Sequence, residues 1–302
     1  MKKVLVVYFT QSGQLKSIVE RLTSPLRSDD QVHVDFLEIK MKNEFDFPWE
    51  KEAFFDTFPE SFQQIPSEIE APAASILTQK YDLIILGYQV WYLTPSIPIN
   101  SFLKSLYAKD ILKDTPVITV SGSRNMWIMA QEKIKVLIRQ NEAHLVGNIA
   151  LVDRAINLIS VITLVDWMFT GVKKRLGGIL PLPGVSESEI SDSDRFGTII
   201  LKYLKSPSFH GMQEELIQNK AVEVRHFLVS MDKKANKMFT LWSKWILSRN
   251  SKSRKRWLKV FNYYLFFAIW FISPIVHLIH LILYPLFYAK IKREQQYYKG
   301  IQ

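Results

Sequence analysis

The sequence predicts an α/β fold with a doubly wound parallel sheet, followed by a helical region of different character. Apolar runs of strand length recur at residues 3–9, 81–87, 115–120 and 145–151, and residues 32–39 alternate between apolar and polar side chains. Amphipathic stretches at helical spacing separate most of these runs, which is the pattern of βαβ units. Polar, glycine-containing or aromatic loops follow three of the runs, and the composition changes after residue 206. We therefore expect one α/β domain over residues 1–206 and an appended region over 207–302.

The first strand and its turn carry the clearest functional pattern. Residues 3–9 meet the turn Thr10-Gln-Ser-Gly-Gln-Leu15, and an amphipathic stretch follows. The backbone N–H groups and the positive end of the helix dipole would face an anion at this turn. Thr10 and Ser12 would add hydroxyl donors. The turn predicts a phosphate site, and an ordinary strand-to-helix turn is the alternative.

Two further loops support a binding site at one edge of the sheet. Strand 81–87 leads into Tyr88–Pro95, which is rich in aromatic side chains, and strand 115–120 leads into Ser121–Trp127. In an open parallel sheet, ligands bind outside the carboxyl ends of the strands where the strand order reverses. The first loop would hold a phosphate, and the other two would flank a flat ring. This is the layout of a flavin mononucleotide (FMN) site.

On these three loops, residues 1–206 resemble the flavodoxin-like family. The resemblance implies five strands in the order 2-1-3-4-5, helices on both faces and FMN as the cofactor. The candidate cofactor-binding residues are Thr10, Gln11, Ser12, Gly13, Gln14, Leu15, Gln89, Val90, Trp91, Tyr92, Leu93, Ser121, Gly122, Ser123, Arg124 and Asn125.

The remaining elements of this domain follow in chain order. The first strand and its helix extend to about Leu26, and the second strand is expected near the sheet edge. Pro95 and Pro98 open a helix, where proline in the first turn is well placed. Residues 126–139 read as a helix before the fifth strand. Residues 190–204 resemble the closing helix of the flavodoxin-like fold.

Two insertions interrupt this pattern. Residues 40–76 form an acidic, proline-interrupted segment with Phe45, Phe47, Trp49, Phe54, Phe55, Phe58 and Phe62. Long loops are commonly functional, so the segment is either a lid over an apolar substrate or an auxiliary core at the sheet edge. The second insertion, 152–184, contains the apolar run 157–170, which is too short to span a bilayer. It is either a buried insertion helix or one that faces a membrane or an acyl tunnel.

The C-terminal region is basic and apolar. From Lys233 onward there are 14 Lys and Arg residues and one acid, Glu294, whereas the rest of the chain has a net charge near −3. Residues 238–247 predict an amphipathic, Trp-bearing helix of the interfacial kind. A basic region beside an apolar run points to anionic lipid, and no nucleic-acid-binding motif is found.

Residues 260–289 form a run of 30 residues without a charged side chain, and this length is enough to cross a bilayer. Basic residues flank both ends, and the positive-inside rule would place both flanks in the cytoplasm. A re-entrant hairpin or an in-plane helix pair bent at Pro274 would satisfy both flanks. We expect monotopic attachment at the cytoplasmic face of the inner membrane, and a single span stays open. His277 and His280 lack acidic or cysteine partners, so no metal site is predicted.

The chain has no cysteine. This excludes disulfides and a condensing mechanism that uses a thiolate nucleophile. The first 20 residues predict no secretory signal.

A narrower resemblance lies in three motifs at residues 54–61 (FFDTFPES), 87–98 (GYQVWYLTPSIP) and 123–127 (SRNMW). They resemble the dialkylresorcinol condensing enzyme family, whose flavodoxin-like members accompany a ketosynthase in making dialkylresorcinols and flexirubin- or aryl-polyene-type pigments in bacteria. The resemblance implies an apolar, polyketide-like substrate and, as partners, a ketosynthase and an acyl carrier protein. Because the chain lacks cysteine, carbon–carbon condensation would belong to the ketosynthase.

The step that remains for a flavin protein is oxidation of the cyclised cyclohexanedione to the aromatic resorcinol. Tyr92 is a candidate general base, with an ordered water as the alternative. Arg124 would stabilise the negative charge of an enolate or of reduced flavin, or make a helix-start salt bridge or phosphate contact. Trp91 or Tyr92 would stack on the isoalloxazine ring. Leu15 replaces a threonine that is common in flavodoxin phosphate loops. This replacement favours an alternative function, a scaffold without cofactor that anchors the ketosynthase and carrier protein at the membrane.

Overall fold

The computed structural model describes all 302 residues, and a five-stranded parallel sheet lies at its centre. The strands are β1 (Lys2–Tyr8), β2 (Val32–Glu38), β3 (Leu83–Tyr88), β6 (Pro116–Ser123) and β7 (His144–Val152), and a two-stranded antiparallel hairpin consists of β4 (Val90–Trp91) and β5 (Thr94–Pro95). The order in the main sheet is β2-β1-β3-β6-β7. This is the doubly wound order 2-1-3-4-5 of flavodoxin-like proteins, so the predicted fold class is confirmed.

Sixteen α-helices surround and extend this sheet. They are α1 (Gln14–Leu22), α2 (Ser24–Arg27), α3 (Lys51–Asp56), α4 (Phe58–Phe62), α5 (Ala74–Leu77), α6 (Ile97–Leu103), α7 (Leu106–Leu112), α8 (Ile128–Gln140), α9 (Asn157–Thr170), α10 (Glu187–Ser191), α11 (Asp194–Leu204), α12 (Met212–Gln218), α13 (His226–Leu247), α14 (Ser251–Phe267), α15 (Ser273–Leu283) and α16 (Tyr288–Lys299). The predicted closing helix over 190–204 is divided between α10 and α11.

Helices cover both faces of the sheet, and successive side chains of a strand point to opposite faces. Each strand therefore contributes to two cores. Along β1, Val4 and Val6 join the core under α1, α11 and α12, whereas Leu5 and Val7 join the core under α6, α7 and α8. This explains why the parallel strands read as continuous apolar runs in the sequence.

The core of the sheet extends beyond the predicted domain boundary at residue 206. Met212 and Leu216 of α12 belong to the same core as β1, and Val222 bridges Ala150 of β7 in parallel. The chain leaves this core only within α13, after Val229.

A third core, rich in aromatic rings, joins the first insertion to the C-terminal region. Phe58 and Phe62 of α4 pack against Phe239 of α13 and Phe261 of α14. The aromatic insertion is thus a packed element that bridges the sheet domain and the C-terminal helices.

The C-terminal region contains one continuous helix over Ser251–Leu283, which is long and apolar enough to cross a membrane by length and composition. We call it the long apolar helix. The predicted bend into two helices at Pro274 is wrong: a π-helical turn over Ala268–Ile272 precedes the proline, and the helix continues. The wider turn makes room for the ring, which would otherwise meet the carbonyl four residues earlier. The chain instead leaves the helix after Leu283, and α16 returns to pair Glu294 with His226 and Lys233 of α13.

Candidate binding cleft at the carboxyl edge of the sheet

A cleft of about 300 Å³ lies where β1, β3 and β6 end. It brings together residues of all three predicted loops, namely Gln11, Ser12, Gln14, Leu15, Gln89, Val90, Trp91, Tyr92, Leu93, Gly122, Ser123 and Arg124. Thr10, Gly13, Ser121 and Asn125 do not line it directly. The volume is at the lower end of the range for small-molecule sites.

The first loop presents unpaired donors at the start of α1. Gly13 precedes the helix in the left-handed conformation, at φ 82°, and no side chain caps the helix. The backbone N–H groups of residues 14–16 donate to no carbonyl or side chain, and the buried hydroxyl of Thr10 has no hydrogen-bond partner. Free N–H groups at a helix N-terminus favour an anion. The side chain of Leu15, by contrast, is buried in the core of the sheet and offers no donor, so only its backbone N–H faces the turn.

Amide side chains hold the first insertion, and the residue that follows the second insertion, against this loop. Gln11 Nε2 donates to the carbonyl of Asp46 at 3.0 Å, and Trp49 Nε1 donates to Gln11 Oε1 at 3.0 Å. Gln14 exchanges two hydrogen bonds with the backbone of Val185, at 3.2 and 3.0 Å. The side chains of the first loop therefore fix the position of the segments that lie over the cleft.

The second loop is a strained hairpin turn. Tyr92 and Leu93 connect β4 and β5 with φ of 49° and 64°, as in a type I′ turn, where asparagine and glycine are the usual residues. Left-handed conformations at such side chains cost about 1 to 3 kcal/mol each and are common at functional sites. Both side chains line the cleft, so the strain is stored at the wall of the site.

Tyr92 does not fit the predicted role of general base. Its ring packs against Phe54 and Phe58, and its hydroxyl donates to the carbonyl of Phe54. Burial raises the pKa of the Tyr92 phenol well above 10. A phenol that is held protonated and already donates cannot accept a substrate proton, so Tyr92 holds the wall of the cleft together.

Trp91 is part of an aromatic cluster at the side of the cleft. Its ring makes edge contacts with Phe45, Trp49 and Phe9 at centroid distances of 5.0, 5.4 and 6.2 Å. The cluster fixes the orientation of the indole, which also lines the cleft.

The third loop places one cation, Arg124, and one hydroxyl group, that of Ser123, at the cleft. Arg124 Nη1 donates to Asn157 Oδ1 at 2.9 Å, so its guanidinium is held by the start of α9 and makes no salt bridge. Burial lowers the pKa of Arg124 to about 10, and the group remains positive at neutral pH. The side-chain hydroxyls of Ser121 and Ser123 have no partner, and neither does Gln89 Oε1.

A buried carboxylate lies behind Arg124. Asp232 of α13 is fully buried, and its Oδ2 accepts the backbone N–H of Met129 at 3.0 Å at the start of α8. Burial raises the pKa of Asp232 to about 7, with Lys133 and Arg124 opposing that rise. Burial also lowers the pKa of Lys133 to about 8.

Several residues of the cleft come from outside the three loops, and among their elements the sequence offers a role at the site only for the first insertion, as a lid, and for α9, as a helix facing an acyl tunnel. They are Phe47, Trp49 and Phe54 of the first insertion, Leu164, Trp167 and Met168 of α9, Phe239 of α13 and Leu265 of the long apolar helix. The only sequence signal for them is the density of apolar and aromatic residues in those segments. The two histidines of the long helix lie elsewhere: His277 contacts Phe227, and His280 stacks on His226.

Several solved structures are similar in fold. A flavoprotein from Lactobacillus acidophilus NCFM, in complex with FMN, has a TM-score of 0.40 and 21% identity, and the match covers 50% of this chain and 93% of that one. A flavodoxin from the domain Archaea has a TM-score of 0.37 and 13% identity, with coverage of 67% and 99%. Flavodoxin 1 from Bacillus cereus has a TM-score of 0.33 and 14% identity, with coverage of 57% and 99%.

No model of a known protein family matches the chain, and no curated protein matches it. The strand order and the position of the cleft define an α/β protein with a flavodoxin-like fold and an added helical region.

Proposed function

We propose that this chain is an FMN-dependent oxidoreductase that acts on an apolar, ring-containing substrate. The observation that carries the proposal is the set of unpaired donors at the first and third loops, next to a cleft with aromatic walls. Buried polar groups without partners are rare in proteins and each needs an explanation, for which a bound ligand is one; here several of them lie together beside the cleft.

The residues at the first loop fit a phosphate group. Thr10 Oγ1 and the N–H groups of residues 14–16 have no partner, and they would hold the phosphate of FMN at the start of α1. A side chain at Gly13 would meet no other atom within 4 Å, so there is open space at this turn. Gln89, Ser123 and Trp91 would face the flavin ring.

When bound, FMN would supply the acceptor for a hydride, that is, for two electrons and a proton, from the substrate. The contribution of the protein would be position and charge. The cation of Arg124 would stabilise negative charge that develops on an enolate oxygen, and the packing of Tyr92 would keep the second loop in its strained form. A water molecule is the remaining candidate for the base, since the Tyr92 hydroxyl donates to Phe54.

The more specific proposal is the aromatisation of a cyclohexanedione to a resorcinol in dialkylresorcinol biosynthesis, on an intermediate that a partner ketosynthase makes on an acyl carrier protein. It is supported by the motifs at 54–61, 87–98 and 123–127, and by the apolar lining of the cleft. We further propose that the chain lies at the cytoplasmic face of the inner membrane, where both basic flanks of the long apolar helix would face anionic lipid.

One observation favours a second candidate, a scaffold without cofactor. Gln11 and Gln14 are hydrogen-bonded to the insertions, and Leu15 is buried where flavodoxins commonly have a threonine. A covered first loop would leave the fold as a platform that anchors the ketosynthase at the membrane.

The visible absorption spectrum of the detergent-purified protein separates the two. Flavin bands, with about one FMN released per chain on heating, would support the enzyme. The loaded protein would then be mixed anaerobically with a 5-alkylcyclohexane-1,3-dione, and bleaching of the flavin bands with formation of the resorcinol is the expected result. A colourless protein that takes up no added FMN would overturn the proposal and leave the scaffold.

A further inference from the structure

We propose that the cleft takes up the alkyl chain of an amphiphile directly from the lipid bilayer, through a gap between α9 and the long apolar helix. The inference rests on the proposed function only for the chemistry at the polar end of the cleft. The route itself follows from where the apolar helices lie.

The two most apolar helices flank the cleft. Leu164 and Met168 of α9 line it together with Leu265 of the long helix. A second cavity, of about 560 Å³, lies between the start of α9, at Leu158, and the long helix, at Leu281, and the start of α13, at Phe227, lines it as well. The two helices therefore border a gap that is lined by side chains from both.

The outward faces of both helices are apolar and exposed. In α9, Val165 is 42% exposed, and in the long helix Phe271 and Ile282 are 55% and 66% exposed. An apolar surface of this extent is unfavourable in water and is typical of membrane contact. At 1.5 Å per residue, the uncharged part of the long helix, residues 260–283, presents this face over about 36 Å.

The charges around this face indicate lipid as the occupant. The start of the long helix carries Lys252, Lys255, Arg256 and Lys259, the segment after it carries Lys290, Lys292 and Arg293, and Lys174 and Arg175 follow α9. None of these side chains makes a salt bridge within the protein, unlike Arg254 and Lys173. Free cations that border an apolar face match the anionic head groups of a bilayer surface.

The packing of the long helix sets its direction relative to the body. Phe261 contacts Phe239, and His277 contacts Phe227, so the long helix follows α13 over most of its length. α13 in turn packs on α4 and α8 of the body. In our proposal the long helix, fixed along the body in this way, lies in the plane of the membrane with its basic residues at the lipid head groups, and the gap beside α9 opens into the acyl region.

The cleft has two chemically different ends, which specify the ligand. Gln11, Ser12 and Arg124 line the end at the sheet, and Phe239 and Leu265 line the end at the long helix. A ligand with a planar polar ring and an alkyl chain would satisfy both ends, with the ring at the sheet and the chain between the helices.

The absence of cysteine from the chain permits single-cysteine tests. In phosphatidylcholine–phosphatidylglycerol vesicles, Leu265→Cys should react with a maleimide several-fold more slowly when 4-dodecylphenol is present, whereas phenol should have no effect. Phe271→Cys, on the outward face of the same helix, is the matched control and should react at an unchanged rate. Equal rates for Leu265→Cys with and without 4-dodecylphenol would overturn the route.

The contact with the bilayer is tested with a bimane label. Labels at Val165→Cys and Phe271→Cys should be strongly quenched by lipids with a doxyl group on the acyl chain, and a label at Ser28→Cys, at the opposite edge of the sheet, should not. Quenching at Phe271 without quenching at Val165 would remove α9 from the membrane and overturn the proposal.

These readouts do not need a flavin. Protection of Leu265→Cys in a protein that binds no FMN would leave the route standing and the proposed oxidoreductase refuted. FMN binding without protection of Leu265→Cys would leave the proposed oxidoreductase standing and overturn the route.

Discussion

Phe58 and Phe261 stack face to face, with ring centroids 3.9 Å apart and ring planes 9° apart. Phe58 belongs to the aromatic insertion, and Phe261 belongs to the long apolar helix. The same insertion supplies Trp49 and Phe54 to the cleft. This pair therefore links the helix that we place at the membrane to the wall of the candidate site.

Replacement of Phe261 by alanine should destabilise the protein by about 3 to 5 kcal/mol, because Phe261 is fully buried and its loss opens a cavity in the third core. The matched control is Phe267→Ala, since Phe267 lies on the exposed side of the same helix and should change the free energy of unfolding by less than about 0.5 kcal/mol. Chemical denaturation in detergent micelles measures both. Similar losses for the two variants would contradict the packing described above.

Arg254 should contribute to stability although it lies in the basic run before the apolar stretch. Its Nη1 and Nη2 donate to the two carboxylate oxygens of Glu60 at 2.8 and 2.7 Å, and its Nε donates to Asp56 at 2.8 Å. Arg254→Gln should lower the free energy of unfolding by about 1 to 2 kcal/mol, because it removes a bidentate, charge-assisted pair. Lys255→Gln removes the same charge from a side chain without a salt bridge and should have little effect. If both variants unfold at the same denaturant concentration as the parent, the pair does not hold the insertion.

Gly13 should be needed for tight binding of FMN, whereas Gly211, which has the same backbone conformation, should not. Gly13 and Gly211 both precede helices in the left-handed conformation, at φ 82° and 84°. Alanine at either position should cost about 1 to 2 kcal/mol of stability, because a Cβ disfavours this conformation. Only Gly13→Ala should weaken FMN, by tenfold or more, since it disturbs the N–H groups at the first loop. Fluorescence titration of FMN gives the affinities, and equal affinities for the two variants would place the phosphate elsewhere.

The fold was predictable because parallel strands are buried on both faces and appear as continuous apolar runs. The convergence of the three loops then followed from sheet geometry, since the carboxyl ends of the strands share one edge. The far wall of the cleft was not predictable. Leu265 reaches the cleft through tertiary packing against Phe58 and its neighbours, and local periodicity contains no information about such a contact.

The roles of single side chains were equally hidden. The sequence gives no sign that the Tyr92 hydroxyl donates to the carbonyl of Phe54, which removes it as a base. Pro274 was expected to break the helix, but the π-helical turn before it accommodates the ring. A tertiary contact decides the first case, and a local change in helix geometry decides the second.

Asp232 should make the stability of the protein fall as the pH rises from about 4 to 7. Burial raises its pKa to about 7 from an ordinary value of 3.8, so in this window the unfolded chain releases the proton while the folded protein keeps it. Each unit of such a difference corresponds to about 1.4 kcal/mol. Asp232→Asn can still accept the N–H of Met129, and it should be more stable than the parent at pH 8 and similar at pH 4.

Asp82 provides a control of opposite sign. Burial alone would raise its pKa, but the N–H of Lys3 and the ammonium of Lys2 outweigh burial and lower the pKa below 3.8. Its ionised form therefore adds stability at neutral pH, which is lost as the pH falls through the folded pKa, and Asp82→Asn should be less stable than the parent at pH 7. Denaturation curves of the three proteins from about pH 2 to pH 8 test both signs, because the contribution of Asp82 is lost only below about pH 4. A stability difference between Asp232→Asn and the parent that does not change with pH would mean that Asp232 is ionised in the folded protein throughout this range, and that Lys133 and Arg124 compensate for its burial.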